Sequence, residues 1–343
     1  MEPTSPTRKP TNHITARLRR TSYEWTRKED MNRRLMQVSA RSVVVLTLFL
    51  WYSICAAQTA SPTPPAMEVV FLGTGGPRPA GRAASCNLIL IHGKARLLVD
   101  AGSGAFTRLG ELGIGLHDLD TILLTHLHID HTADVPSIVK ARAMTQDDPV
   151  HFVLIGPAGS GDYPSTSRFA ELLFGPGGAW TYVKTFGTPV AIEAEDLPID
   201  LHAAPKQILA TPDGIKVFSV ASHHGDAPAV AYRIEYENKS VTFSGDIDPQ
   251  GLDNLTKLAT NTDLLVFNCA VLDPPGSPAE LYTRHSPPKR IGEVAKASGA
   301  RHLILTHIPP LVDKARSKVS TSIQAAGSEA VEFAKDKMRV VVE

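Results

Sequence analysis

The chain has 343 residues, enough for one large domain or two small ones, and its 43% hydrophobic content is typical of a globular protein rather than a disordered one. Its formal net charge is zero, but ten Lys or Arg and four Asp or Glu precede residue 42, so the rest of the chain has 25 basic and 31 acidic residues. This mildly acidic body argues against a large nucleic-acid-binding surface.

The first predicted element is an export signal. Residues 1–41 are polar and basic, and the apolar run over residues 43–57 is 15 residues long, short of the ~20 residues that a membrane-spanning helix needs. This pattern predicts a basic region and signal peptide over residues 1–57, cleaved after Ala57, and a periplasmic or secreted body with no stable membrane association. An uncleaved anchor is the alternative, and Met31 would be a more ordinary start than Met1.

A linker and the first strands follow. Residues 58–66 are rich in Pro and Thr and have no core to bury, so the folded domain is expected over residues 67–343. Cys86 and Cys269 would remain after signal cleavage. The chain has no Cys-x-x-Cys pair, so a zinc knuckle with thiolate ligands is not expected. One disulfide between the two cysteines is an open alternative. The first body elements are predicted to be strands over residues 67–72, 86–91 and 95–99 and a helix over residues 105–112.

The most informative stretch covers residues 125–131, Thr-His-Leu-His-Ile-Asp-His, directly after a short apolar run that predicts a buried strand. Its side chains would lie on a loop at the strand's C-terminal end, where α/β folds place their chemistry. His126 and His128 are two residues apart, so on extended backbone they point the same way and can bind one ion. Asp130 and His131 can reach a second ion. Imidazole and carboxylate are usual zinc ligands, and a histidine-rich polar loop is the alternative.

Further candidate ligands come at the ends of later strands. His223 and His224 follow a strand over residues 215–221, and because side chains alternate along a strand, only one of them should bind a metal. Asp246 follows a glycine at a strand end, where a carboxylate can approach a pair of ions. His307 follows the last predicted strand; alone it would be structural, but beside other strand-end ligands it becomes a candidate.

Two other strand-end carboxylates have open roles. Asp100 is expected either to orient a ligand histidine or to cap the next helix, and Asp248 to cap the helix after it. Residues 175–178 and the turns beyond them are expected to form a lid or a wall of the substrate cleft. The remaining strands are predicted over residues 121–124, 152–155, 229–236, 240–243, 264–268 and 302–306, and the remaining helices over residues 133–144, 165–174 and 287–297.

The His-x-His-x-Asp-His pattern at residues 126–131 resembles the signature of the metallo-β-lactamase superfamily of hydrolases. Leu-Gly-Thr-Gly at residues 72–75 is similar to the opening of its ribonuclease Z and arylsulfatase-like branch, and the resemblance covers roughly residues 67–310. A histidine shortly before an aromatic strand resembles the family's third motif, which favours His224 over His223. The resemblance implies an α/β fold, a four-layer αββα sandwich with two mixed β-sheets.

The resemblance also implies a site with two Zn²⁺ ions per chain. Its ligands would form a first set, a second set and a bridge: His126, His128 and His224; Asp130, His131 and His307; and Asp246. Two cations about 3.5–4 Å apart share a hydroxide whose pKa lies far below that of bulk water, and this hydroxide would be the nucleophile. Asp130 is expected to orient it as a catalytic residue.

Two features depart from the tRNA-cleaving relatives of this branch. His285-Ser286 precedes a helix, as a His-Ser pair does there, but Asn268 replaces the glutamate that pairs with that histidine and assists proton delivery. His285 is therefore expected to act as a general acid or a substrate contact, with an N-terminal helix cap as the alternative. From Ala229 to Asp246 there is only a tight hairpin, where those relatives often carry a flexible basic arm.

Together these features predict an exported binuclear zinc hydrolase acting on a small-molecule phosphodiester or aryl sulfate ester, with no nucleic acid partner. A homodimer is compatible with the sequence. A lactone or β-lactam hydrolase is the closest alternative. A redox or sulfur-handling protein that uses iron, or a noncatalytic metal-binding relative, is the alternative from another class; a complete set of seven ligands disfavours a mononuclear iron site.

Overall fold

The computed structural model describes residues 63–185, 187–328 and 330–343, together with Met31, Arg33 and Arg34. The chain divides into two units, Met1–Thr63 and Pro64–Glu343. In the first unit, Met31, Arg33 and Arg34 are helical and exposed, and Thr63 is exposed; the rest of the predicted signal region, residues 1–57, lies outside the described residues. Within the described part of the chain, no helix has the length and apolar character needed to cross a membrane.

The second unit contains all the strands of the described residues. In chain order they are β1 (Met67–Gly73), β2 (Cys86–Ile91), β3 (Lys94–Val99), β4 (Thr121–Leu123), β5 (Val150–Pro157), β6 (Val190–Leu197), β7 (Lys206–Ala210), β8 (Lys216–His224), β9 (Ala227–Tyr236), β10 (Lys239–Phe243), β11 (Leu264–Asn268), β12 (His302–Thr306), β13 (Glu332–Phe333) and β14 (Met338–Val341).

The helices of this unit connect the strands. They are α1 (Ala105–Glu111), α2 (Ile129–Thr132), α3 (Val135–Ala143), α4 (Thr166–Phe174), α5 (Leu252–Leu258), α6 (Pro288–Ser298), α7 (Pro310–Lys314) and α8 (Arg316–Ala325). Single turns of 3-10 helix cover Thr181–Lys184 and Ala279–Thr283. Ser165 caps α4, because its hydroxyl accepts a hydrogen bond from the Arg168 backbone N–H.

The strands form two seven-stranded sheets with related topologies. The first has the order β14-β1-β2-β3-β4-β5-β6 and the second the order β13-β12-β11-β10-β9-β8-β7. In the first sheet β1 to β3 pair antiparallel and β3 to β6 pair parallel. In the second, β7 to β10 pair antiparallel and β10 to β13 pair parallel. Both sheets are therefore mixed, as predicted.

The inner strands of both sheets are buried on both faces, and β1 shows how. Val70 and Leu72 pack with the helix-covered core of the first sheet, whereas Val69 and Phe71 pack in the core between the two sheets. Helices α1, α3 and α4 cover the first sheet, and α5, α6 and α8 cover the second. Side chains that alternate along a strand thus meet a hydrophobic layer on each side. The predicted four-layer αββα sandwich is confirmed.

The strands that the sequence did not predict lie at the edges of the sheets, and helices α7 and α8 were also not predicted. β6 and β7 are edge strands whose burial patterns include many exposed positions, so they lack the apolar run of a buried strand. The C-terminal strands β13 and β14 were also not predicted. The predicted helix over residues 133–144 is confirmed as α3, and the motif itself turns into the short helix α2 just before it.

The two cysteines of the body do not form a disulfide. Cys86 packs in the core between the first sheet and its helices, and Cys269 in the corresponding core of the second sheet. Both are free and buried. The alternative of a single disulfide is therefore wrong, because the two thiols belong to different layers of the sandwich.

One tyrosine links the two sheets close to the motif. Tyr232 on β9 donates its hydroxyl to the backbone carbonyls of Leu124, at 2.9 Å, and Ile155, at 3.1 Å, which both belong to the first sheet. The neighbouring Val230 donates its backbone N–H to the Thr125 carbonyl at 2.9 Å. These bonds fix the start of the histidine motif against the second sheet, so ligands from both sheets can meet at one edge.

Candidate metal centre

The histidine motif changes conformation in its middle. His128 is extended, with φ −65° and ψ 151°, and α2 begins at the next residue. On the extended part, His126 Nε2 and His128 Nδ1 lie 3.0 Å apart, as the spacing of two residues predicted. On the helical part, the Asp130 and His131 side chains turn away to a second position, where His131 Nε2 is 3.6 Å from Asp130 Oδ2.

The second sheet brings one histidine to each of these positions. His224, the last residue of β8, completes a group with His126 and His128. His307, just after β12, completes a group with Asp130 and His131, and its Nε2 lies 3.2 Å from Asp130 Oδ2. Within each group the ligand-type atoms lie within 4.8 Å of one another. The structure therefore brings together the two sets predicted from the sequence.

Asp246 lies between the two groups. Its Oδ2 is 3.9 Å from His126 Nε2 and 3.7 Å from His224 Nε2 in the first group. The same oxygen is 3.7 Å from His131 Nε2 and 3.5 Å from His307 Nε2 in the second. A single buried carboxylate oxygen thus faces four imidazole nitrogens from both sheets, which is the position expected for a bridging ligand.

Parallel neighbouring strands explain why these residues meet. Asp100 follows β3, which pairs parallel with β4 before the motif, and Asp246 and His307 follow β10 and β12 on either side of β11. The carboxyl ends of parallel strands lie at the same edge of a sheet, so side chains placed there converge. Asp100 and His307 also adopt positive φ angles of 64° and 56°, a conformation that costs roughly 1–3 kcal/mol for a residue other than glycine.

Several of the buried ligands have a partner that fixes their orientation. His131 Nδ1 lies 2.7 Å from Asp100 Oδ2, so of its two predicted roles, Asp100 takes that of orienting a histidine; the N-cap of α1 is Gly104 instead. His224 Nδ1 donates to the Arg284 carbonyl at 2.6 Å. These bonds leave the opposite nitrogen, Nε2, directed at the cluster, as in metal sites whose histidines are held by outer hydrogen bonds.

Asn268 holds the other oxygen of Asp246. Its side-chain N–H donates to Asp246 Oδ1 at 2.9 Å, and both residues are buried. The sequence had marked Asn268 only as the replacement of a glutamate. Its position at the end of β11, the parallel neighbour of β10, was the signal that could have identified this contact.

The charges of the cluster are strongly perturbed. Although burial alone would raise it, the imidazoles of His307 and His285 hold the pKa of the Asp246 carboxyl well below its usual range. Burial and the neighbouring His131 and His224 lower the pKa of His126 well below its ordinary value. Asp246 is therefore ionised and His126 neutral at pH 7, which are the forms that bind metal ions.

His131 shows the opposite behaviour. Burial by itself would lower its pKa, but the charge and hydrogen bond of Asp100, with Asp246 and Asp130, raise the pKa to about 9. In the described residues, His131 Nε2 is buried without any hydrogen-bond partner, as is Nδ1 of His285. His131 Nε2, buried without a partner and facing the carboxylates of Asp130 and Asp246, is what a divalent cation would satisfy.

His285 belongs to neither of these two groups, but with His224 and Asp246 it forms a further set of ligand-type atoms within 4.8 Å of one another. Its Nδ1 is 4.0 Å from Asp246 Oδ2, and burial lowers its pKa to about 4, against the opposing effect of Asp246. It does not cap α6, whose N-cap is Pro287, so the cap alternative is wrong. A neutral imidazole at pH 7 favours the role of a substrate contact over that of an acid that is protonated in advance.

The neighbouring candidates point elsewhere. His223 Nδ1 pairs with Asp248 Oδ2 at 2.6 Å, away from the cluster, so of the two adjacent histidines only His224 enters it. Asp248 accepts hydrogen bonds from the backbone N–H groups of Gln250 and Gly225. It precedes α5 without capping it, because the N-cap is Gly251; the cap prediction for Asp248 was therefore wrong.

Two walls border the cluster. On one side, the Tyr163 ring lies 6.0 Å from the His128 ring, so the loop before α4 approaches the first group. On the other side, a cavity of about 200 Å³ adjoins His285 and His307. The sequence predicted a lid or wall at residues 175–178 and the turns just beyond them, and neither of these two walls belongs to that region.

Comparison with known proteins places this site in context. Residues 95–308 match a family model described as a beta-lactamase superfamily domain. A ribonuclease Z from Mycobacterium sp. (strain KMS) is 30% identical over 288 residues, covering 80% of this chain and 96% of that protein. The metallo-beta-lactamase fold protein YhfI from Bacillus subtilis is 22% identical with a TM-score of 0.62, over 80% of this chain and 98% of that chain. Human tRNase Z, short form, is 21% identical with a TM-score of 0.60, over 80% and 99%.

These comparisons bear on two expectations from the sequence. The structural matches show the fold, because both are less than 25% identical to this chain. The relatives named ribonuclease Z act on RNA, which conflicts with the expectation that no nucleic acid is a partner. The comparisons give no support to an aryl sulfate substrate.

Proposed function

Since the chain belongs to the metallo-β-lactamase superfamily and is a metal-dependent hydrolase, we propose that it cleaves phosphodiesters with the help of two zinc ions. The observation that carries the proposal is the position of Asp246 Oδ2, within 4 Å of imidazole nitrogens from both groups. A carboxylate so placed, with three protein ligands on each side, suits a binuclear site better than a mononuclear one.

The ligand chemistry supports zinc over iron. Five imidazoles and two carboxylates, with no cysteine among them, form two groups of three around one shared oxygen. Such nitrogen and oxygen ligands suit zinc, whereas a mononuclear iron site would need only two histidines and one carboxylate. A mononuclear iron site would leave one complete group without a purpose.

The residues of this chain have separable roles in the proposed reaction. Zinc bound there would supply water that ionises near neutral pH and positive charge against the phosphoryl oxygens. Asp130 Oδ2 can accept a hydrogen bond from the attacking water and so orient it. His285, neutral at pH 7, can donate a hydrogen bond to an ester oxygen. Asn268 keeps Asp246 Oδ2 turned toward the imidazoles.

The relatives support a phosphodiester as the scissile bond. This chain spans 96% of the Mycobacterium ribonuclease Z, and a ribonuclease cleaves phosphodiester bonds. Aryl sulfates, lactones and β-lactams are still candidate substrates, because a metal centre of this kind does not by itself determine which bond is hydrolysed.

RNA is the second candidate substrate, and the names of these relatives favour it. Two features of this chain oppose it. β9 and β10 are joined by the two residues Glu237 and Asn238, so there is no basic arm in this hairpin. The chain after residue 41 also has more acidic than basic residues.

A substrate panel on the full-length protein loaded with zinc tests the proposal. It would include a bis-aryl phosphate, a tRNA precursor, an aryl sulfate, a homoserine lactone and a chromogenic β-lactam. We expect about two zinc ions per chain and the highest kcat/KM on the bis-aryl phosphate. Highest turnover on the tRNA precursor would select the second candidate. Turnover only of the sulfate, the lactone or the β-lactam, or iron with no hydrolysis, would refute the phosphodiesterase.

We also propose that residues 1–57 direct export and that the mature protein begins after Ala57. The basic flank and the 15-residue apolar run over residues 43–57 support this. N-terminal sequencing of the protein recovered outside the cytoplasm would test it. A mature chain that starts at Met1 or Met31 in the cytoplasm would contradict export and would strengthen the RNA candidate, since tRNA precursors are found there.

A further inference from the structure

The cavity of about 200 Å³ beside the metal centre has an unusual lining. His285 and His307 form the side toward the metal centre, and most of the remaining wall is apolar, including Ala270, Leu281 and Ile308. Such a lining offers few hydrogen bonds, so it suits a group that gains from leaving water rather than a second polar ligand.

The outer wall of this cavity is a loop whose backbone lies directly against a ligand histidine. At Gly76, a Cβ atom would lie 2.6 Å from His307 Cε1, which leaves no room for any side chain there. The loop between β1 and β2 therefore packs on the ring of His307. Any group that enters the cavity would be enclosed between this loop and the two histidines.

Buried polar contacts hold both ends of the loop. At its start, Thr74 donates its hydroxyl to Asp336 at 2.7 Å, and at its end the Ala83 backbone N–H donates to the same carboxylate at 2.7 Å. Arg82 donates to the Thr74 hydroxyl at 2.6 Å and to Asp313 at 3.0 Å. These contacts hold both ends of the loop in place, so the position of the loop relative to His307 is fixed before a substrate binds.

One charged residue stands on this loop at the edge of the cavity. Arg78 is exposed, lines the cavity, and forms no ion pair with any other described residue. The nearby Arg82, by contrast, is engaged with Asp313. An arginine without a protein partner at the rim of an apolar cavity can bind an anionic group of a ligand through its planar guanidinium.

We propose that this cavity binds an aromatic or heterocyclic ring attached to the scissile ester, and that Arg78 binds a second negative charge on the far side of that ring. The substrate class is therefore an anionic phosphoester that carries one planar ring next to the cleaved bond and a further anionic group beyond it. This rests on the proposed phosphodiesterase function. The volume of the cavity limits the occupant to about one ring, and His285, 4.0 Å from Asp246, joins the cavity to the metal centre.

Three phosphonates that cannot be hydrolysed test the ring and the charge separately: methylphosphonate, phenylphosphonate and 4-carboxyphenylphosphonate. Their dissociation constants would be measured by calorimetry on the zinc-loaded full-length protein. For the unmodified protein we expect phenylphosphonate to bind about tenfold more tightly than methylphosphonate, because the ring leaves water. We expect the carboxyl group to add roughly another threefold to tenfold through Arg78.

Variants assign each gain to its residue. Ala270→Phe fills the cavity and should abolish the preference for phenyl over methyl, whereas Ala297→Phe, on the exposed face of α6, should preserve it. Arg78→Gln should abolish only the gain from the carboxyl group, and Arg290→Gln, an exposed arginine of α6, should keep it. Leu281→Trp serves as a second way to fill the cavity if Ala270→Phe does not fold.

Equal affinities for methylphosphonate and phenylphosphonate in the unmodified protein would overturn the ring proposal. A preference for the ring that survives both cavity-filling variants would do the same. A gain from the carboxyl group that survives Arg78→Gln would overturn the role of Arg78. Failure of the phosphodiesterase itself is separate, because it would appear as absent turnover of the bis-aryl phosphate by protein that contains zinc.

Discussion

The two sheets contribute to the candidate metal centre in different ways. The first sheet supplies four ligands from one loop of six residues, His126 to His131, so a short sequence pattern contains them all. The second sheet supplies His224, Asp246 and His307, which are far apart in the sequence and meet only because β8, β10 and β12 end at the same edge. The first half of the site is thus encoded locally, and the second by the order of strands.

The sheets also differ in how they orient their ligands. In the first, His131 is held by the Asp100 side chain and His126 Nδ1 lies 3.1 Å from the Thr125 hydroxyl. In the second, His224 is held by the backbone carbonyl of Arg284. A point substitution can remove the side chains that orient the first sheet's ligands. It cannot remove the backbone carbonyl that orients His224, so in the second sheet the orienting side chain that can be tested is Asn268, which holds Asp246. This difference can be tested by the size of each variant's effect.

The largest effect is expected for Asp246→Asn, which removes the one carboxylate shared by both groups. We expect zinc binding at both positions to weaken and turnover of the bis-aryl phosphate to fall by more than about 100-fold, the upper range for residues that only orient a ligand. Zinc content after dialysis and kcat/KM would measure this. Asp248→Asn, a buried carboxylate outside the cluster, is the matched control; full activity with two zinc ions in Asp246→Asn would refute the bridge.

Next we expect a loss of more than about 100-fold for His128→Ala, again beyond the range of an orienting residue. This residue is only half-buried, so its loss should remove a ligand of the first group while leaving the fold largely intact. Elemental analysis should find about one zinc ion per chain, and circular dichroism should be unchanged. Wild-type turnover by this variant would show that the assignment of ligands to the motif is wrong.

Asp100→Asn should have an intermediate effect, because it changes a residue that orients His131 rather than a ligand. We expect zinc affinity at the second group to fall about 10- to 100-fold, measured by competition with a chelator. Thr125→Val removes the hydroxyl that contacts both His126 and the Asp100 carboxylate but keeps that carboxylate on His131, so it is expected to cost less. An Asp100→Asn protein with unchanged zinc affinity would show that the Asp100–His131 bond has no role in metal binding.

The same variant has a consequence for stability in the metal-free protein. With Asp100 nearby, the folded-state pKa of His131 is raised to about 9, above the ordinary value of about 6.5. This group therefore stabilises the fold fully below about pH 6.5, and the contribution is lost as the pH rises through 9. We expect the wild-type free energy of unfolding to fall across this window and that of Asp100→Asn to fall less, measured by urea denaturation.

Asn268→Ala should produce a smaller loss and tests whether the second sheet also depends on an orienting side chain. Without its hydrogen bond, Asp246 can rotate, so we expect roughly a tenfold loss of zinc affinity and a lower kcat with little change in KM. Asn268→Gln keeps the amide but moves it, and Ser222→Ala removes a buried hydroxyl outside the cluster. If Asn268→Ala retained wild-type zinc affinity, the contact with Asp246 would be only structural.

The sequence could predict the ligands better than their surroundings, because the ligands of the motif follow a local spacing whereas their partners come from distant parts of the chain. Residues 126–131 are recognisable because two histidines that are two residues apart point to the same side of an extended backbone. The contact between Asn268 and Asp246, the bond of His224 to the Arg284 carbonyl and the enclosing loop at Gly76 all depend on tertiary neighbours. Strands β6 and β7 were missed because edge strands lack the apolar pattern that burial imposes.

The smallest effect is expected for His223→Gln. This variant tests whether two adjacent histidines on β8 point in opposite directions, so that only one of them reaches the metal centre. His223 pairs with Asp248 and is partly exposed, whereas His224 is buried in the cluster. We therefore expect kcat/KM to change by less than about threefold in His223→Gln, within the usual range for a surface substitution, and two zinc ions to be retained. The paired variant His224→Gln should lose zinc from the first group. If instead His223→Gln lost a zinc ion and His224→Gln did not, the direction of the side chains at the end of β8 would be reversed, and the second sheet's contribution to the site would have to be reassigned.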